Sequence, residues 1–264
     1  MTAMLEEVRE FRRLAEVLFI RGWAEASAGN LSLRLAEISS AMAKLAPSVV
    51  PGGTPSPGRI HKVAVDMTDL IGDRFLVTAS GSRMRDIAAD PEKGLCLIQV
   101  LDSQRFWQID GPEALSSEWA THAGLHSLFK ESRSGERAVV HCHPPALIAL
   151  SHIFNSEKEM NDRIFRMQCE TRLCIPEMLG LIPYAVTGSK DLAKASKEKL
   201  KKYRLAIWDK HGVIASGKTL SQALDRIEIV EKAAAIYLQL KGAGVEPEGM
   251  SDAQIAETMR AYKK

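Results

Sequence analysis

Residues Ala138 to Pro145 read A-V-V-H-C-H-P-P. An apolar run leads into two histidines one residue apart, and two prolines follow. In a β-strand successive side chains point to opposite faces. His141 and His143 therefore project the same way, with Cys142 turned to the other face. Pro144 and Pro145 cannot extend a sheet ladder and mark where the strand stops. Two imidazoles on one face at one strand end can grip a single metal ion, since neutral imidazole is a common ligand of divalent metals. For the stretch in isolation the competing reading is two histidines near a strand terminus, each satisfied by a hydrogen bond.

Working outward toward the N-terminus, Leu115-Ser-Ser-Glu118 opens a helix that runs to about Lys130. A serine is expected at its N-cap, leaving N–H groups pointing outward and suited to a phosphate. The helical period puts Glu118, His122 and His126 on one face. His122 and His126 read as a half-buried, hydrogen-bonded stripe. Leu95 to Leu101 and Arg105 to Ile109 form a hairpin turning at residues 102–104. His61 to Met67 and Arg74 to Thr78 read as strands, and the second runs into the small, hydroxyl-bearing turn Ala79-Ser-Gly-Ser82. Leu5 to Ala24 carries apolar residues at helical spacing, closed by Gly22. Glu25-Ala-Ser-Ala-Gly-Asn30 follows, then the strictly alternating strand Leu31-Ser-Leu-Arg-Leu35. Such a small-residue loop can cradle an anion or serve as a plain turn. Residues 46–58 hold four prolines and three glycines and read as a loop.

Toward the C-terminus, residues 146–154 and 157–168 read as helices, and 175–183 as an apolar stretch broken by prolines. Residues 189–203 form a lysine-rich amphipathic helix whose lysines are a solvated face. The strand 204–208 leads through Asp209-Lys210 to His211-Gly212 and a second strand, 213–215. Residues 219–240 form the longest helix, with Thr219 and Gln222 as a capping box, and residues 251–262 the last, boxed by Ser251 and Gln254. Strands outnumber what a doubly wound parallel sheet needs, and several sit as hairpins. The expected fold is α/β: one domain over residues 1–264, with a largely antiparallel central sheet flanked by helices on both faces.

The bulk properties narrow the function. The 264 residues are 45% hydrophobic and 26% charged, with a net charge of +2. No basic block is interleaved with aromatics, so no nucleic-acid partner is expected. The four cysteines (Cys96, Cys142, Cys169, Cys174) form no C-x-x-C pair, which points to reduced thiols in a cytoplasmic protein. The first residues carry acids where a signal peptide wants bases. No stretch approaches the roughly 18–20 apolar residues of a membrane span, so no membrane partner is expected.

The remaining histidines, His61, His122, His126, His152 and His211, are candidates for a third ligand. His211 is preferred, because it lies between two strands beside a glycine, where backbone can approach a site closely. Three histidines with an open position is the pattern of a catalytic metal site. An H-E-x-x-H helix and a G-x-S-x-G elbow are both absent. What remains is a metal Lewis acid beside several hydroxyl-rich turns, suited to a phosphorylated or polyhydroxylated substrate.

Several segments together resemble the class II aldolase/adducin family. They are G-W-A-E-A-S-A-G-N-L-S-L-R-L (22–35), V-T-A-S-G (77–81), S-S-E-W-A-T-H (116–122), V-V-H-C-H (139–143) with L-I-A-L (147–150), and A-I-W-D-K-H-G-V (206–213), followed by the capped helix from Thr219. They occur in family order over most of residues 22–240. The resemblance implies a zinc enzyme, one Zn2+ per subunit, that cleaves a 1-phosphorylated ketose into dihydroxyacetone phosphate and an aldehyde. The branch it is most like acts on L-rhamnulose 1-phosphate and releases L-lactaldehyde. By the same resemblance His141, His143 and His211 fall on the metal ligands, Glu118 on the catalytic acid/base and Glu170 on a second glutamate near the active site. Asn30, Ser80, Gly81, Ser116 and Ser117 fall on the turns that hold the substrate phosphate. The family is typically a cyclic homotetramer with sites at subunit boundaries. The chain departs from the family pattern at Ser27, Ala79 and Ser116, and residues 46–58 have no clear counterpart. Other reactions carried by this family remain alternatives: cleavage of a different ketose phosphate such as L-fuculose 1-phosphate, epimerisation, dehydration, or a non-catalytic scaffold role.

Breaking a C–C bond next to a carbonyl builds an enediolate, whose charge a chelating metal stabilises by several kcal/mol. A base must take the proton from the adjacent hydroxyl and later protonate the carbanion, and a glutamate near the metal can do both.

Overall fold

Hydrophobic alternation along the strands decides which face of the sheet each residue serves. The computed structural model describes residues 6–35, 59–112 and 114–262. Among these, nine strands form one sheet: β1 (Asn30–Arg34), β2 (Ile60–Lys62), β3 (Arg74–Thr78), β4 (Leu95–Val100), β5 (Arg105–Asp110), β6 (Ala138–Cys142), β7 (Gly180–Ile182), β8 (Leu205–Trp208) and β9 (Gly212–Gly217). Their spatial order is β2-β5-β4-β3-β1-β6-β9-β8-β7. Every neighbouring pair is antiparallel except β7–β8, which is parallel. The largely antiparallel sheet expected from the hairpin spacing is therefore present.

Helices cover both faces. On one face α1 (Glu6–Ile20), α2 (Met84–Ala89), α4 (Pro145–Ile153) and the long α8 (Leu220–Gly242) pack against Leu31, Leu33, Val140, Cys142, Val213 and Ile207 in the largest core cluster. On the other face α3 (Trp119–Glu131) and α7 (Lys190–Lys199) lie over Phe75, Val77, Val139, Ile214 and Trp208. The remaining helices are α5 (Glu157–Ile164), α6 (Cys169–Cys174) and α9 (Asp252–Tyr262). Sheet and helices bury their apolar sides against each other, which is the general reason for such layered packing. Cys142 belongs to the first core, on the far side of β6 from His141, as period-two alternation requires.

The caps follow the sequence. Thr219 Oγ1 accepts from Gln222 N at 3.0 Å, and Ser251 and Gln254 exchange reciprocal bonds at 3.3 and 2.9 Å. Three expectations are corrected. The strand expected over 61–67 stops at Lys62, because Asp66 Oδ1 takes both Thr68 N and Thr68 Oγ1 in a local turn that competes with the ladder. The helix expected over 157–168 ends at Ile164. Beyond it the Phe165 carbonyl accepts from the Thr171 and Arg172 side chains, and the short α6 begins at Cys169. The proline-broken stretch 175–183 contributes β7, held by its parallel pairing to β8. The proline-rich loop 46–58 lies outside the described residues.

Candidate active site

β6 delivers the first two imidazoles. His141 is wholly buried beneath α3, and His143 follows one step past the strand end, its backbone N–H donating to the Trp23 carbonyl at 2.8 Å. His211 comes from the turn between β8 and β9. Lys210 takes a left-handed conformation there (φ +57°), with its N–H on Ser151 Oγ at 2.9 Å. A Cβ on the next residue, Gly212, would lie 2.7 Å from the Cys142 carbonyl and from His143 Cδ2, and 2.9 Å from His141 Cε1. Only glycine lets β9 start this close to the histidines.

The three rings converge, with ligand atoms all within 4.8 Å of one another. His141 Nδ1 is 2.8 Å from the Val213 carbonyl, an acceptor only, so the proton sits on Nδ1. His143 Nδ1 likewise donates to Glu25 Oε1 at 2.8 Å. With both rings in the neutral form that binds metal, each has a lone pair on Nε2, and those two nitrogens face each other at 3.2 Å. Two lone pairs at that distance repel unless a cation lies between them. Zinc–nitrogen bonds of about 2.0–2.1 Å in a tetrahedron put ligand nitrogens roughly 3.3 Å apart, so the His141–His143 spacing fits such an ion. The backing of His141 by a carbonyl and of His143 by a carboxylate is the usual outer-shell arrangement for metal-binding imidazoles. Burial and the neighbouring imidazoles hold His141 well below the ordinary histidine range, in the neutral, ligating form. Burial also lowers His211, with Glu118 opposing and His143 assisting.

Glu118 completes the cluster. The residue is 4% exposed, with Oε2 at 3.6 Å from His141 Nε2 and Oε1 at 3.8 Å from His211 Nε2. Oε2 also accepts from Asn30 Nδ2 at 2.8 Å. No hydrogen bond reaches Oε1 among the described residues. Glu118 is itself the N-cap of α3, with no side-chain cap bond, and its N–H donates to Ser116 Oγ at 3.3 Å. The expected serine N-cap is corrected: a bridge between Ala79 and Leu115 draws residues 114–116 into the sheet edge, and the helix starts later.

The same bridge sets two hydroxyl-rich turns side by side. Ser80 N donates to the Ala114 carbonyl at 2.8 Å and Ser116 N to the Thr78 carbonyl at 3.1 Å. Ser80, Gly81 and Ser117 are exposed on this rim, directly before Glu118. Asn30 lies opposite His141 across the β1–β6 ladder, and both of its side-chain atoms are engaged, with Glu118 and with His122 Nε2 at 2.6 Å. Gly29 before it has φ +78°, and a Cβ there would meet the His141 carbonyl at 3.1 Å.

Glu170 is placed differently. It is exposed on α6, beside Arg21, Trp23, Glu228 and Lys232 in a groove, and makes no hydrogen bond or ion pair with the three histidines or Glu118 among the described residues. His122 and His126 are not ligands. They are fully buried rather than half-buried, and both bond to Ser32 Oγ, at 2.7 and 2.8 Å. Glu25, unremarked in the sequence, enters the site through His143. Its only signal was its position at the head of the small-residue loop.

The profile described as Class II Aldolase and Adducin N-terminal domain matches residues 9–238. The chain is 31% identical over 265 residues to the rhamnulose-1-phosphate aldolase of Bacteroides thetaiotaomicron, covering 98% of this chain and 95% of that one. It is 28% identical over 251 residues to the protein of the same name from Pectobacterium atrosepticum, covering 90% and 86%. Among solved structures it resembles the sugar-phosphate aldolase from Thermotoga maritima, with a TM-score of 0.78, 33% identity and coverage of 92% and 98%.

Proposed function

Since the chain belongs to the class II aldolase and adducin family and is a sugar-phosphate aldolase, we propose that its substrate is L-rhamnulose 1-phosphate and its metal zinc. The observation that carries this reading is the convergence of three imidazoles and one carboxylate, with the His141 and His143 lone pairs facing each other at 3.2 Å. The names of the relatives support the ketose. A zinc ion on His141, His143 and His211, one per subunit, would supply Lewis-acid stabilisation of the negative charge that builds on the substrate oxygens, several kcal/mol in such sites.

The chain's own residues do the rest. Glu118 takes the proton of the hydroxyl on the carbon that becomes the aldehyde, at Oε1, the oxygen that accepts no hydrogen bond among the described residues. The C–C bond then breaks, its electron pair staying with the three-carbon phosphate fragment. Glu118 returns the proton to that carbon, so L-lactaldehyde and dihydroxyacetone phosphate leave with atoms balanced. Ser80, Gly81, Ser116 and Ser117 hold the phosphate on the rim formed by the paired turns. Asn30 closes the loop of that set, and its engaged amide fixes Glu118 rather than reaching outward. We read the enzyme as one domain, cytoplasmic and homotetrameric. Glu170, remote in hydrogen bonding from the imidazoles of its own protomer, would serve the site across a subunit boundary.

The test is direct. Purified protein is incubated with L-rhamnulose 1-phosphate or L-fuculose 1-phosphate, and dihydroxyacetone phosphate release is followed with sugar-product analysis. Faster release from the rhamnulose ester is expected. A preference for the fuculose ester, or an epimerised or dehydrated product without cleavage, would replace the reading.

A further inference from the structure

Asn30, His122, Ser32 and His126 form a hydrogen-bonded series behind Glu118, between β1 and α3, and the last three are buried. We propose that His122, Ser32 and His126 are positioning residues, a one-directional hydrogen-bond chain that acts through Asn30 to hold the Glu118 carboxylate in one orientation. This rests on the reading of Glu118 as the acid/base.

The direction follows from donor and acceptor inventory. Glu118 Oε2 is an acceptor, so the Asn30 atom 2.8 Å away is the amide nitrogen. Asn30 Oδ1 is therefore turned to His122 and accepts from Nε2–H at 2.6 Å. His122 is wholly buried, and desolvation brings its pKa down to about 3, so the ring is neutral and Nδ1 carries a lone pair. The Ser32 hydroxyl donates to that lone pair at 2.7 Å. Its proton being committed, Ser32 Oγ accepts from His126 Nε2–H at 2.8 Å. His126 is also buried and held neutral, and its Nδ1 has no partner among the described residues.

The reverse order fails at the anionic end. A proton on His122 Nδ1 would leave Nε2 as an acceptor against Asn30. The amide would flip, and its carbonyl would face the carboxylate at 2.8 Å, acceptor against acceptor. The charge on Glu118 thus fixes both ring tautomers. Arg34, two residues beyond Ser32 on the same face of β1, adds to the desolvation that lowers His126, while its guanidinium pairs with Asp73 at 3.6 Å. From His126 to Glu118 every hydrogen bond donates toward the carboxylate. The members of the chain sit on a strand and a helix, the rigid elements on which such sites are held best. The consequence is a carboxylate pinned through Oε2, with Oε1 as the proton-accepting atom.

The experiment uses the zinc-loaded enzyme with 15N-labelled histidine. Between pH 6 and 8 the ring nitrogens of His122 and His126 should both report the neutral Nε2–H tautomer; an Nδ1–H signal for His122 overturns the proposal. Alongside, His122→Leu should lower kcat by about 10- to 100-fold, the usual scale for outer-shell partners, with KM for the ketose phosphate and zinc content unchanged. His122→Gln, whose amide can still donate to Asn30, should recover most of the loss. Equal kcat in wild type and His122→Leu, or a loss carried by KM, overturns it. If His122→Leu does not fold, the tautomers and His122→Gln decide. A fully active Glu118→Gln would sink the functional reading instead, and the tautomers would remain readable on their own.

Discussion

The Nε2 atoms of His141 and His143 face each other at 3.2 Å, and in the neutral rings neither carries a proton to share. The opposite nitrogen of each ring has already settled the matter, on the Val213 carbonyl for one and Glu25 Oε1 for the other. Such a pair is arranged for a cation, and it is arranged unequally: His141 is backed by buried backbone, His143 by an exposed carboxylate.

Metal removal follows from this. Dialysis against a strong chelator should abolish aldol cleavage, and stoichiometric zinc should restore it. Glu25→Ala should weaken zinc binding by about 10- to 100-fold, measured by competition with a chromophoric chelator, while kcat at saturating zinc changes little. Retained cleavage in chelated protein would remove the metal from the mechanism.

Glu118→Gln preserves the shape of the side chain but cannot accept and return a proton. Turnover should fall by roughly 10² to 10⁴. Zinc content should stay at the wild-type level, because the three imidazoles are untouched. Unchanged turnover would exclude Glu118 as the acid/base.

The interior of this site was only half legible in the sequence. The strand Leu31–Leu35 was readable from its alternation, and the stripe Glu118, His122, His126 from its helical period. Alternation ordinarily signals one core face and one wet face. Here Ser32 is 0% exposed, because β1 lies in the middle of the sheet, between β3 and β6, with α3 across its polar face. Two polar patterns that each looked like partial exposure satisfy one another, across some 90 residues of sequence. Local periodicity carries no information on that pairing; strand order does. His211 was legible for a local reason, the adjacent glycine. The short elements α6 and β7 were not, since six and three residues show little periodicity and are held by tertiary contacts.

Glu231 is another residue that only the tertiary structure reveals. α4 starts immediately after the metal strand, and its N-cap, Pro144, has no side-chain acceptor to offer. Glu231 of α8 supplies one: its carboxylate accepts from Ala146 N at 3.0 Å and Leu147 N at 2.9 Å. Burial pushes its pKa up, and these two bonds oppose the rise. Glu231→Ala leaves two buried N–H groups unpaired and should cost about 1–3 kcal/mol, read as a lowered urea midpoint. Glu231→Gln retains an acceptor and should cost less. Equal stability of the alanine variant and wild type would show that the helix start is satisfied some other way.

His122 and His126 also make stability depend on pH, with a definite sign. Desolvation brings His122 down to about 3 and His126 well below the ordinary value. In the unfolded chain both titrate near 6.5. Below that pH the unfolded state takes up protons that the native state refuses, so stability is full above about pH 6.5 and is lost as pH falls. Each ring should cost about 2 kcal/mol at pH 5 relative to pH 7, from the linkage slope of about 1.4 kcal/mol per pH unit. Urea melts of metal-free protein at pH 7, 6 and 5 measure the loss, and His126→Leu separates this ring from every other titrating group. The gap between wild type and variant should shift by about 2 kcal/mol over that range, with the variant the less pH-sensitive. Parallel stability curves would mean that His126 protonates in the folded protein, and the neutral tautomer assigned to it would be wrong.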